Sequence, residues 1–438
     1  MSPRQKLSVS SEFQMKLIPR FCRSWLLAAV FAFSAILTLR AETEPPTSWI
    51  DPDTGHRVIR LTREPGSASL YFNENGYTPD GRQMIYTSPD GISVLDLATF
   101  KTRIVVEGRV RVIVVGRKTP TVFYLKSIST DKPQARALFS TRIDTGETKK
   151  LADLPRRGGI ATINADETLA AGTYIEGEGE DYNSRQGEQG HALEQPLNKG
   201  QMMEARLAAR LPLVLFTVDL RTGKTTTLLN STDWINHLEF SPTDPSLLLY
   251  CHEGPWHKVD RIWTIRTDGT QNTLVHKRTI GREIAGHEFW SHDGKIIWYD
   301  LQTPRGQVFW VAGYNVDTGE RTWYNLQRNE WSIHFNVSPD GKLFCGDGGD
   351  SGQVAKAPDG RWIYLFRPES INDSDSLGDK LVQPGVFHAE RLVNMSKHNY
   401  HLEPNVSFSP DQKYVIFRSN MFGPTYVFAV EVAPAAGK

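Results

Sequence analysis

The sequence predicts an all-β fold, a seven-bladed β-propeller built of four-stranded antiparallel blades. Three observations predict it: a turn phrase that recurs at blade-sized intervals, a second phrase locked to the first, and the absence of any long helical pattern. The first phrase is an apolar residue, Ser or Thr, Pro, Asp, Gly, then alternating apolar residues. It stands at Tyr77-Thr-Pro-Asp80-Gly81, Phe240-Ser-Pro-Thr-Asp244, Trp290-Ser-His-Asp293-Gly294, Val337-Ser-Pro-Asp340-Gly341 and Phe408-Ser-Pro-Asp411-Gln412. Weaker copies are Ile163-Asn-Ala-Asp166 and Lys118-Thr-Pro120. Pro-Asp-Gly is turn chemistry, and the run after such a turn, Ile296-Ile-Trp-Tyr299 for example, has strand composition.

The second phrase comes at a distance from the first: Val94-Leu-Asp-Leu97, Arg142-Ile-Asp-Thr-Gly146, Thr217-Val-Asp-Leu-Arg-Thr-Gly223, Arg266-Thr-Asp-Gly269 and Val316-Asp-Thr-Gly319. These read as hairpin turns between outer strands. Two phase-locked turns describe a four-stranded unit, and spacings of roughly 40 to 50 residues are those of propeller blades. The wide gaps, 166 to 244 and 340 to 411, imply insertions. Trp49-Ile-Asp-Pro-Asp-Thr-Gly55 with Val58-Ile-Arg-Leu61 is an outer-strand phrase without an inner partner, expected to complete the last blade and close the ring.

The first 41 residues read as an export signal: basic residues Lys16, Arg20 and Arg23, an apolar run Trp25 to Leu39, and a small residue, Ala41, before a polar stretch. The run is short for a membrane span, so no stable membrane insertion is expected once it is cleaved; an uncleaved anchor is the alternative. Met15 would give a more ordinary signal length. Residues 42–438 are then expected to form one propeller domain, periplasmic or secreted, with an inserted loop at about 176–210. Of three Cys, Cys251 and Cys345 remain, enough for one disulfide but not for a framework. Lys plus Arg and Asp plus Glu both number 50, leaving no basic field for nucleic acid.

The repeat phase points at a site. The Pro-Asp-Gly turn ends the innermost strand, so the start of that strand lies at the opposite mouth of the channel. Three residues before each apolar anchor stand Glu74, His237, His287, His334 and Asn405. Histidines at one structural position in consecutive blades would converge, and His398, His401 and Glu403 enter the same mouth just before the last blade. Imidazoles with a carboxylate suit Zn, Mn, Fe or Ni, with a position left open for catalysis. The alternative is that these histidines bond one another, backbone and water. Loops joining second and third strands open on the same mouth and bring Cys251-His252-Glu253-Gly254-Pro255, Asp300, Gly346-Asp-Gly348 and Arg418. The insertion starts acidic and ends in the helix-like Glu204-Ala-Arg206-Leu-Ala-Ala-Arg210; it is either a cover for the mouth or a surface excursion.

Several of these stretches resemble the oligogalacturonate lyase family: Trp49-Ile-Asp-Pro-Asp-Thr-Gly55 leading to Arg60-Leu-Thr62, Cys251-His-Glu-Gly-Pro255, His287-Glu-Phe-Trp290, and Gly346-Asp-Gly348. The resemblance runs in order over nearly all of the chain after the signal. It implies a seven-bladed polysaccharide lyase with a manganese ion, a His base and an Arg on the substrate. Carried over, His287 is a metal ligand, His237 the base, and Arg210 the catalytic Arg, with Arg206 in reserve. His252 and Arg418 are expected at the substrate, and His252 is the rival base. His334, His398, His401 and Glu403 complete the candidate ligands. The last blade departs from the family's Gln-X-X-His-Pro-His: the His pair falls on Glu403 and Asn405 without gaps, or on His401 and Glu403 with a two-residue gap.

The expected chemistry is β-elimination from a uronic-acid oligosaccharide. The C5 proton beside the carboxylate is acidic, and a metal on that carboxylate would stabilise the charge left when it goes. A neutral His is matched to removing it, and loss of the C4 oxygen leaves a 4,5-unsaturated sugar. Two alternatives stand beside this: a lyase for another acidic polysaccharide, and a non-catalytic periplasmic propeller binding protein partners, which these turn phrases also resemble.

Overall fold

The computed structural model describes residues 44–129, 135–177, 198–353, 356–371 and 381–435. The predicted signal, residues 1–41, lies outside them, as does 178–197 of the predicted insertion. Among the described residues there is one α-helix, Lys199–Ala209, and one 3-10 turn, Arg328–Glu330. No described helix is long and apolar enough to cross a membrane.

Antiparallel sheets succeed one another along the chain. Three are four-stranded, each running in sequence order: residues 111–153, 158–231 and 234–274. A three-stranded sheet, residues 83–107, precedes them and gains an isolated bridge from Tyr77 to Met84. An eight-stranded sheet consists of two antiparallel runs of four, residues 284–325 and 335–394, joined by a parallel pairing of Arg321–Asn325 with Val382–Asn394. The last sheet is closed by the N-terminus: Ser48–Ile50 and Arg57–Arg60 add to Tyr426–Glu431, Tyr414–Ser419 and Ser407–Phe408. The unpaired outer-strand phrase thus lies where expected. These sheets fit a β-propeller, and residues 45–438 form one compact unit.

The turn phrase has a local cause. Ser338 Oγ donates to Asp340 Oδ1 at 2.7 Å, Asp340 accepts the Lys342 N–H, and Ser338 Oγ accepts the Leu343 N–H. The same three bonds recur around Thr78/Asp80, Ser291/Asp293 and Ser409/Asp411. Hydroxyl and carboxylate satisfy the turn's own amides, so the motif needs no tertiary help. The residue after the Asp has positive φ, where Gly is free of Cβ strain; Gly341 sits at 72°, while Gln412 takes 61° in the last copy.

First strands of successive sheets touch: Arg111–Val115 with Gly158–Ile163, that strand with Trp234–Phe240, and Phe335–Val337 with Ser407–Phe408. The first three of these strands line an inner cavity of about 220 Å³ together with Glu74 and Arg117. Apolar side chains fill the space between neighbouring sheets; Val58, Phe417 and Phe428 of the last sheet pack on Cys345, Ile363 and Leu365 of the one before. Within the 340 to 411 gap stand two long strands that pair with each other, Trp362–Ser370 and Val382–Asn394. Cys251 and Cys345 are both free and buried, so the possible disulfide is not formed.

Candidate active site

Two of the register histidines sit on a distorted backbone. In Trp234–Phe240 the pairing slips between Asn236 and Glu239, and in Ile284–Trp290 between Gly286 and Phe289. His237 and His287 occupy these bulges with φ of 49° and 51°. Asn405, at the same repeat position, has φ 54°. Positive φ is costly for residues with a Cβ, of order 1 kcal/mol or more, and persists where surrounding structure over-determines it. A bulge re-aims the side chain it carries. Here it brings His237 and His287 to one cavity of about 100 Å³ with Tyr71, Arg261, Asp300 and Glu403.

Each histidine is held by an acid. His287 Nδ1 bonds Asp300 Oδ1 at 2.9 Å. Burial pulls the His287 pKa down, but the Asp300 charge and bond outweigh it and the net direction is up. His334 is fully buried; its Nδ1 lies 2.8 Å from Asp347 Oδ2, and Asp347 Oδ1 accepts the His334 N–H at 2.8 Å. Its Nε2 meets the Tyr71 hydroxyl at 3.1 Å and lies 3.7 Å from Glu403 Oε2. The His287 and His334 rings are 4.9 Å apart, edge to face. Asp347 also accepts the Asn405 N–H at 3.2 Å, tying the last sheet to this corner. Its neighbour Gly346 has no room for a Cβ, which would stand 2.4 Å from Ser332 Oγ.

His237 Nε2 is 3.0 Å from Glu253 Oε2, within ion-pair distance but off hydrogen-bond geometry. Its side chain is 29% exposed, so a substrate can reach it. Glu253 is in turn paired to Arg261 at 3.0 Å, and Arg261 to Glu288 at 2.6 Å, all three buried. Burial raises the Glu253 carboxyl, yet Arg261 and then His237 lower it further, to well below the usual carboxylate range. Arg261 was not singled out from the sequence. Its signal was indirect: Glu253 and Glu288 both sit in strands buried on either side, and two such carboxylates require a cation between them.

The remaining expected residues divide. His398 is buried with both ring nitrogens engaged, Nδ1 on Ser419 Oγ at 2.9 Å and Nε2 on the Leu402 carbonyl at 2.7 Å, and it does not line the cavity. His401 is exposed on the next turn and lines neither the cavity nor the cluster. Arg418 donates to the Glu403 carbonyl at 2.8 Å and so braces a candidate ligand. Arg210 caps the helix in left-handed conformation and pairs with Asp233, whose other oxygen holds His252 Nδ1 at 3.1 Å. Arg206 is buried with its guanidinium 3.5 Å from the Trp234 ring centre. The helix runs Lys199–Ala209, five residues further back than the sequence suggested, with an Asn198–Gln201 capping box.

Among the described residues no three His, Cys, Asp or Glu side chains stand close enough together to enclose an ion as they are. The donors still suit a divalent cation in kind. His287 and His334 each have Nδ1 fixed by a carboxylate, which is how metal-binding imidazoles are oriented. Glu403 offers a carboxylate, and the buried Asn405 carboxamide oxygen has no hydrogen-bond partner among the described residues.

Comparison with known proteins bears on the same stretch of chain. The oligogalacturonate lyase family profile matches residues 46–436. The chain belongs to the oligogalacturonate lyase family. It is 25% identical over 402 residues to the oligogalacturonate lyase of Dickeya dadantii, spanning 87% of this chain and 95% of that protein. It is 26% identical over 401 residues to the oligogalacturonide lyase of Pectobacterium atrosepticum, with the same coverage. Among solved structures, an oligogalacturonate lyase in complex with manganese is similar at TM-score 0.69 and 23% identity, covering 88% of this chain and 96% of that one. The Vibrio parahaemolyticus oligogalacturonate lyase is similar at TM-score 0.68 and 21% identity, over 89% and 97%. The family expected from the Cys-His-Glu-Gly-Pro and His-Glu-Phe-Trp stretches is thus the family found.

Proposed function

We propose that this chain is a seven-bladed, single-domain propeller enzyme, exported to the periplasm or beyond, that cleaves pectin-derived uronic-acid oligosaccharides by β-elimination. The observation that carries the reading is the convergence of His237, His287 and Glu403 on one cavity, with buried His334 beside His287 and Glu403, each histidine having its own acidic partner. Membership of a lyase family supports it. Export rests on residues 1–41 and the blade count on the anchor turns. The signal lies outside the described residues.

In this reading His287, His334 and Glu403 hold a divalent ion, most simply Mn²⁺, with Asn405 as a further oxygen donor. When bound, that ion neutralises the substrate carboxylate and the charge that develops at C5. Asp300 and Asp347 fix the imidazole orientation by Nδ1; Nε2 of His287 is the side left for a ligand, while Nε2 of His334 is met by the Tyr71 hydroxyl, which would turn aside for one. His237 takes the C5 proton, with Glu253 beside it to stabilise the resulting imidazolium. The C4–O bond breaks, the leaving sugar recovers a proton, and a 4,5-unsaturated uronate remains with no water consumed. Glu403 in place of a family imidazole adds a negative charge and an oxygen ligand, which favours harder cations.

Purified protein should be stripped of metal and offered a panel of uronate oligosaccharides with and without Mn²⁺. Unsaturated product, seen by ultraviolet absorbance and dependent on added metal, is the expected outcome. No product from any uronate would leave the protein-binding scaffold as the better reading.

A further inference from the structure

Two side chains that line the cavity, and a third beside them, have no role in the chemistry above. Trp256 lines the cavity beside His237 and Tyr71, and Lys199 lines it from the first turn of the helix. Lys199 Nζ is 5.4 Å from the centre of the Trp256 ring, and the Arg305 guanidinium 5.0 Å from the same ring. Both cations are exposed, and among the described residues neither has a carboxylate at ion-pair distance. Lys258, nearby in sequence to Trp256, differs in being matched by Glu204 at 2.7 Å.

The position of Lys199 is set by packing. The helix that carries it is seated by buried Met203, by Arg206 against Trp234, and by the Glu204–Lys258 pair. A partly buried indole with two unmatched cations near its ring thus stands at the edge of the cavity. Its chemistry is specific: an aromatic surface takes the C–H face of a sugar ring, and the cations take a carboxylate. A neutral sugar would use only the first of these.

The geometry points to a subsite at Trp256, Lys199 and Arg305 for a second uronate residue, next to the one that reacts. This rests on the uronate reading of the cavity. It makes the enzyme selective for chains over single sugars, and for acidic chains over neutral or esterified ones.

The test compares binding of saturated trigalacturonate and monomeric galacturonate, by calorimetry at two salt concentrations on the Mn²⁺-loaded His237→Ala protein, in which turnover of the trimer is slowed. In that background, with the rim intact, the trimer should bind at least roughly tenfold more tightly than the monomer, the scale of one added stacking and ion-pairing contact. Trp256→Ala should lose most of that preference and Trp256→Phe should keep part of it. The exposed double variant Lys199→Gln/Arg305→Gln should lose the preference together with its salt dependence, and it keeps the test decisive should Trp256→Ala not fold. An unchanged trimer-to-monomer ratio in the Trp256→Ala and double variants overturns the subsite, while wild-type turnover of oligogalacturonate would leave the lyase reading standing. Wild-type protein that binds neither sugar and forms no unsaturated product overturns both.

Discussion

The histidines of the repeat register and those of the loop before the last sheet fare differently. His237, His287 and His334 reach one place in the structure, each oriented by a carboxylate from the neighbouring strand or loop. His398 and His401 are only three residues apart, yet one is buried with its nitrogens bonded to Ser419 and to the Leu402 carbonyl, and the other is exposed. Register in a repeated sheet is transferable, because every copy of the strand is held by the same ladder and turn. A loop has no such template, and proximity in sequence does not say which way a ring turns. Glu403 is the loop residue that does reach the cluster, and it lies immediately before the last strand regains register.

The contrast can be broken most forcefully at His287. His287→Ala should abolish bound Mn²⁺, measured by elemental analysis, and activity with it; excess Mn²⁺ should restore a fraction if His334 and Glu403 suffice. Metal content at wild-type level in that variant would remove His287 from the ligand set.

His237→Ala should leave metal content unchanged and lower turnover by roughly a hundredfold or more, the scale for a lost general base. Undiminished turnover would move that role to His252, whose Nδ1 is already held by Asp233.

Arg261→Met should cost about 3–5 kcal/mol in denaturant unfolding, because Glu253 and Glu288 would be left buried without their cation. The depressed Glu253 pKa means that its ionised form contributes stability above the ordinary carboxyl value of about 4.3, lost only as pH falls through the lower native value. Without Arg261 the acid-unfolding midpoint should therefore move to higher pH.

His398→Ala should cost about 1–3 kcal/mol, since Ser419 and the Leu402 carbonyl lose their buried partner, and Mn²⁺ content should not change. The smallest effect is expected at His401→Ala, with stability, metal content and turnover all near wild type. Loss of metal in either variant would show that the loop closes differently around an ion.

The sequence by itself determined the all-β fold, the sites of the turns, the completion of the last sheet by residues 48–60, the family, and His237, His287 and His334 as one structural position. Those features are local or periodic: a Ser-Pro-Asp-Gly turn satisfies its own amides, and period-2 strands repeat in phase. Tertiary structure alone decided the rest. The bulge at His237 shows no Gly or Pro signal, and the lone Gly286 before His287 does not by itself announce the other; neighbouring strands impose both. Arg261 could be recognised only once Glu253 and Glu288 were seen buried on either side of it. Trp256, Lys199 and Arg305 come from three separate segments, and nothing in their spacing brings them together. The placing of the loop before the last blade also waited for the structure, where Glu403 approaches His334, Asn405 shares the positive φ of His237 and His287, and His401 is exposed.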